Sequence, residues 1–158
     1  MYYNQNRGED MGDIELDIMA CLLLKPELME KLKVQDEHFT KHKRLWIFMR
    51  TFYEKFKTFD ISLMYSACKD KYQIVQSIEI LLNREPTSIN FEKYQDLLIE
   101  QHAENRYEKW LILKICELSD SLYLKQINTS EYASKLRNLY MQKSELEKKE
   151  IEDGKRDN

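Results

Sequence analysis

The stretch EPTSINFEKYQDLLIEQHAENRYEKWLILKICELSDSLYL, Glu85 to Leu124, has a proline near its start and then neither glycine nor proline. Those two residues are the strongest interruptions of a helix. Their absence predicts one continuous helix from a cap at Asn90 to about Leu124. At about 1.5 Å per residue, about 34 residues reach roughly 50 Å. A compact domain of about 100 residues is only about 35 Å across. Such a helix overhangs its own globular part, and an isolated overhang is not stable in water, so something has to cover it.

The helical wheel indicates what covers it. Tyr107, Leu111, Ile115, Leu118 and Leu122 share one face. The segment after KQINTS, capped by Thr129 or Ser130, offers Tyr132, Leu136, Leu139, Tyr140 and Leu146. Two such helices joined by a short loop fold back as an antiparallel hairpin. A second stripe on the long helix, Ile112, Cys116 and Tyr123, lies about 100° or more from the first. Trp110, Leu113 and Leu124 lie on a further side. Exposing apolar surface costs about 25 cal/mol per Å², so these flanks predict a partner, most simply a second copy of the hairpin. Trp110, Ile112, Leu113, Cys116, Tyr123, Leu136 and Tyr140 are the expected dimer interface.

Upstream, residues 1–12 read as a disordered N-terminus and 13–89 as a helical bundle. Asp13 is placed to cap a helix ending at Leu24, Pro26 to open a short turn, and Thr40 to cap KHKRLWIFMRTFYEKF. In that last segment Leu45, Phe48, Phe52 and Phe56 recur at helical spacing, flanked by Trp46 and Met49, and predict a core helix. Asp60 caps ISLMYSACK, and a further helix carries Ile74, Ile78, Leu81 and Leu82. Residues 90–146 form the long helix and hairpin, and 147–158 a charged disordered tail or fraying helix end. The fold class is all-α: a globular helical bundle followed by a protruding antiparallel helical hairpin.

The composition narrows the chemistry. With only 3 glycines and 2 prolines in 158 residues, all-β architectures and glycine-rich phosphate loops have no material. No G-x-x-x-x-G-K-[ST] loop, dinucleotide fingerprint or G-x-S-x-G elbow occurs. The chain is read as not an enzyme, with no catalytic residue, cofactor or metal site. His38 and His42 are four apart but lack the glutamate of a metalloprotease motif, and they straddle a helix start. Cys21, Cys68 and Cys116 are widely spaced among apolar neighbours and read as buried free thiols in a reducing compartment. The longest apolar run, IMACLLL, is too short for a bilayer, and no apolar signal core opens the chain. A soluble, cytoplasmic protein with no membrane partner is expected.

The net charge of −3 argues against a dedicated duplex-DNA binder. KHKRLW, with Arg50 beyond it, is the densest basic stretch, and Lys41, Lys43, Arg44 and Arg50 are the candidates for a weak nucleic-acid contact beside Trp46. The more ordinary reading is the wet face of an amphipathic helix.

The order of these pieces resembles the N-terminal domain of DnaB-type replicative DNA helicases, and with it the helicase-binding domain of bacterial primase. An E-x-x-x-L-x-x-L-L-x-x-P opening is matched by Glu15, Met19, Leu22, Leu23 and Pro26. The F-x-x-x-x-H-x-x-I segment is matched by Phe39, Lys43 or Arg44, and Ile47. Asp60 and Met64 match a D-x-x-x-L cap, and Pro86, Asn90 and Tyr94 match P-[ST]-x-x-N-x-x-x-Y. The family usually has a glycine before that aspartate, where this chain reads KFKTFD. The resemblance covers roughly residues 13 to 142 and lacks the family's ATPase domain. It implies hairpins pairing into homodimers, a possible higher ring, and docking of primase, a helicase loader or the replicative helicase itself. A stand-alone phage or mobile-element protein that loads, blocks or mimics a helicase is a variant of the same reading.

Overall fold

The computed structural model describes residues 13–156. The expected disorder of residues 1–12 lies outside them. Among the described residues every regular element is helical: α1 (Ile14–Leu24), α2 (Lys43–Phe56), α3 (Ile61–Cys68), α4 (Tyr72–Leu82), α5 (Phe91–Tyr123) and α6 (Thr129–Lys155). Short 3₁₀ turns at Pro26–Lys31, Asp36–His38 and Ser88–Asn90 link them. The chain divides into two compact units, Met1–Leu98 and Ile99–Asn158, and the division falls within α5.

In the first unit α1 is the central element. Ile18, Met19, Cys21 and Leu22 are fully enclosed, and Leu16 and Ala20 are buried with them. Asp13 caps the helix by accepting the Leu16 N–H at 3.2 Å. Glu15 is buried because it serves a neighbour: its carboxylate accepts the backbone N–H groups of Lys41 and His42 at 3.1 and 3.0 Å. These donors lie at the start of α2, where helical N–H groups have no internal partner. Thr40 is therefore not the cap. His42 holds that position without a side-chain cap bond, because a carboxylate from α1 meets the need and complements the positive end of the helix dipole.

The core face of α2 is Leu45, Trp46, Met49 and Phe52. Trp46 stacks on Phe39 with centroids 4.2 Å apart and planes 6° from parallel, and its Nε1 donates to Asp36 Oδ1 at 2.7 Å. Phe56, expected in the core, is exposed, and Phe48 is half-buried. The stripe is rotated toward Trp46 because that ring fills the space against Phe39. Asp60 caps α3 through the Leu63 N–H at 3.0 Å, and Met64 and Cys68 are buried. Arg84 bridges back to Asp17 at 2.7 Å. The first turns of α5 seal the unit with buried Phe91 and Leu98. Gln95 there is 1 % exposed, accepts the Lys33 and Val34 N–H groups at 2.6 and 3.3 Å, and donates to the Lys31 carbonyl at 3.3 Å. One amide thus satisfies an irregular segment that has no ladder of its own.

Lys57, at the end of α2, has φ 57°, the left-handed conformation. It stands in the KFKTFD stretch, and glycine would adopt this conformation at no steric cost. A side chain there costs about 1–2 kcal/mol, offset in part by glycine's larger entropy loss on folding of about 0.5–1 kcal/mol. Lys57→Gly is expected to stabilise the protein by about 0.5 kcal/mol net, read as a small rise in melting temperature; a fall would contradict it.

Asp13 also binds His42 Nε2 at 2.6 Å and lies 3.5 Å from Lys41 Nζ. Burial alone would raise its pKa, but the His42 hydrogen bond, the Leu16 N–H and the His42 and Lys41 charges outweigh that and hold it below its ordinary value. A carboxyl with a depressed folded-state pKa stabilises fully above its unfolded pKa, and that contribution is lost as pH falls through the folded value. Asn caps a helix as well as Asp does. Asp13→Asn should therefore cost about 1–2 kcal/mol at about pH 6, with the difference from the parent shrinking toward about pH 2 in thermal melts.

In the second unit, α5 and α6 touch at points that run in opposite directions along the two helices. Ser119 Oγ lies 3.4 Å from the Tyr132 hydroxyl, Arg106 pairs with Glu150 at 2.6 Å, and Lys155 pairs with Glu100. Ile99 and Gly154 meet so closely that a Cβ on the glycine would lie 2.7 Å from Ile99 Cγ2. The connection ends α5 with a Schellman arrangement: the Gln126 N–H binds the Ser121 carbonyl, the Lys125 N–H binds Leu122, and Lys125 is left-handed. Asn128 caps α6 by accepting the Glu131 N–H at 2.8 Å, not Thr129 or Ser130. The last helix also continues to Lys155, well past residue 146. Its mixed charges read as a tail in sequence, yet Lys143 bonds Glu147 four residues on, and Glu150 and Lys155 find partners on α5.

Candidate interaction surfaces

Among the described residues, each unit taken by itself carries an exposed apolar surface. On the second unit, Tyr107, Ile115, Leu118 and Leu122 are half-buried and Leu111 is buried, all on the face predicted to meet the following helix. Across from it Tyr132, Leu136 and Leu139 are half-buried. The other stripe lies open. Ile112 is 55 % exposed, Tyr123 85 % and Tyr140 55 %, and Cys116 is exposed with them; Leu113 at 66 % and Leu124 are exposed on the further side of α5, and Met141 is exposed on α6. The register set by Ser119–Tyr132 and Arg106–Glu150 brings Ile112 and Leu113 level with Tyr140 and Met141.

The candidate interface residues thus separate into two groups. Ile112, Leu113, Cys116, Tyr123 and Tyr140 are exposed. Trp110 is half-buried, with its ring edge-on to Tyr107 at 6.5 Å, and Leu136 belongs with the inner residues of α6. Cys116 corrects the expectation of three buried thiols: it stands on the open face of α5, one turn from Ile112. Cys21 and Cys68 are buried and free. Burial, with the Asp17 charge in support, pushes the Cys21 thiol up to about 11, and burial raises Cys68 as well. Neither carries the thiolate that nucleophilic chemistry needs.

On the first unit, α2, α3 and α4 frame a groove of about 1160 Å³. Its apolar lining includes Ile47, Phe48, Phe52, Leu63 and Ile74. Lys41, Lys43, Arg44, Lys55 and Lys71 also line it, and no lining residue is acidic. Three of the four basic candidates are brought together here. Arg50 is not: it faces elsewhere, bonded to Asp36 and Glu54 at 2.9 Å each. Trp46 is also withdrawn from any contact role, being 1 % exposed. Sequence reasoning missed the groove because its walls come from three helices, and its α4 wall, Lys71 to Ser77, carried no motif.

His38 Nδ1 accepts the Gln35 N–H at 2.8 Å, and His42 is turned to Asp13, so the two imidazoles serve local structure. Among the described residues no cluster of three or more His, Cys, Asp or Glu side chains could hold a metal ion. No helix of those residues is long and apolar enough to cross a membrane. Comparison with protein-family models, with curated proteins and with solved structures returns no match.

Proposed function

We propose that this chain is a non-catalytic interaction and oligomerisation module that self-associates through the open stripe of its second unit. The observation that carries the proposal is the exposure of Ile112, Cys116, Tyr123 and Tyr140 along a helical pair whose facing sides already meet. Large apolar side chains grouped on a regular helical surface mark a binding face more often than scattered ones do. A second copy is the simplest cover, since one patch then satisfies both molecules through a two-fold axis.

The order of the Glu15, Phe39, Asp60 and Asn90 motifs supports a cytoplasmic role in DNA replication. The function is that of a helicase N-terminal collar, whose protruding hairpin dimerises while the bundle engages primase, a loader or the helicase. A free-standing protein that mimics that domain uses the same surfaces. The test is Ile112→Asp combined with Tyr123→Asp, followed by light scattering and circular dichroism. A folded monomer is the expected product, and a variant that keeps the parent's mass removes the stripe as the interface.

A further inference from the structure

We infer that the groove between α2, α3 and α4 is a docking site for an acidic amphipathic helix of a partner protein. This surface belongs to the first unit and is independent of the self-association stripe. Its chemistry selects the occupant in two ways. The lining is apolar at helical spacing along α2, with Ile47 38 % and Leu63 44 % exposed although both sit within regular helices. Five cations and no carboxylate are among the lining residues, with Asp13, outside that lining, behind Lys41 and His42, in a chain whose net charge is −3. Positive charge is therefore concentrated locally against the trend of the molecule, and it complements a negative ligand.

The groove exceeds the roughly 300–1,000 Å³ of small-molecule pockets and is open to solvent. An amphipathic helix, placing anchors at i, i+3 or i+4, and i+7 into an apolar groove, matches this form. Glutamates flanking those anchors would meet Lys43, Arg44, Lys55 and Lys71. Lys41 approaches Asp13 at 3.5 Å yet keeps most of its side chain in solvent, so it can still turn toward a ligand. A nucleic acid fits less well. Single-strand binding uses exposed rings as stacking platforms; the exposed rings lining this groove, Phe56 and Tyr72, share it with aliphatic Ile47, Leu63 and Ile74, which suit leucine anchors rather than stacked bases, and Trp46 is enclosed.

The experiment uses the full chain and a fluorescein-labelled helical peptide of about 18 residues, long enough to hold a helix when docked. Leucines occupy one face of the peptide and glutamates flank them. The controls are a peptide of the same composition with the leucines scrambled, one with lysine for glutamate, and a labelled oligo-dT strand. Saturable anisotropy is expected with the acidic amphipathic peptide. Binding should weaken about tenfold in the Lys43→Glu, Arg44→Glu double variant and again in Leu63→Glu, with helical content unchanged. The Ile112→Asp, Tyr123→Asp variant should bind the peptide as the parent does, which keeps this result separate from the self-association test. Equal binding of the scrambled peptide, insensitivity to Leu63→Glu, loss of binding in the stripe variant, or tighter binding of oligo-dT would each overturn the assignment.

Discussion

Trp46→Ala is expected to destabilise the protein by about 3–5 kcal/mol, the range for removing a large aromatic from a core. Whole domains are stable by only about 5–15 kcal/mol, so this one change should take a large share of the cooperative transition. The substitution removes burial, stacking and a hydrogen bond at once. The indole is 1 % exposed, it stacks on Phe39 at 4.2 Å, and its N–H donates to Asp36 at 2.7 Å. Trp46→Phe separates these effects, since it keeps a ring against Phe39 and loses the donor; it should cost less than half as much. Denaturant melts of the two variants check the ordering. A Trp46→Ala protein as stable as the parent would mean that α2 does not pack as described. Lys43→Ala, on the same helix and exposed, should stay within about 0.5 kcal/mol of the parent.

The second large effect is on assembly. Replacing Ile112 and Tyr123 with aspartate puts two charges into the proposed contact, and leaving a charge unpaired in a desolvated interface costs several kcal/mol. A dimer of micromolar affinity, about 8 kcal/mol, would be dissociated at any practical concentration. The fold should survive, because the two side chains are 55 % and 85 % exposed and their removal opens no cavity. Trp110 would be a poorer choice for the same test. It is half-buried beside Tyr107, so truncating it confuses loss of packing with loss of association.

How far the sequence reached depended on the scale of each feature. Helix positions were legible where a periodic run met a cap, as at Asp13 and Asp60 and through the uninterrupted α5. Caps supplied from elsewhere in the fold were not. Glu15 tops α2 from twenty-six residues upstream or more, and nothing local to KHKRLW announces it. The end of α6 was hidden for a related reason. KSELEKKEIED looks solvated until Arg106 and Glu100 on the neighbouring helix are brought beside Glu150 and Lys155.

The residues on which the proposed helicase resemblance rests have structural roles of the same kind. Met19, Leu22, Phe39 and Met64 are fully buried, and Glu15 and Asp60 bind backbone N–H groups. Those positions shape and cap a bundle, so the motif order speaks for architecture more directly than for a partner. The α5 part of the exposed stripe, Ile112, Cys116 and Tyr123, was legible because it needs only one helix and its period. The groove was not, because a concave surface made by three helices has no period in the chain. Lys41, Lys43 and Arg44 could be picked as a basic cluster, but their apolar neighbours across α3 and α4 became visible only in three dimensions.

The most direct test of the central claim is the solution mass of the parent chain by light scattering across a dilution series. A particle of at least twice the 19.2 kDa chain mass, dissociating to one chain when Ile112 and Tyr123 become aspartate, is the predicted result. A parent that stays at 19.2 kDa up to about 100 µM, weaker than about 5–6 kcal/mol of association, would contradict it.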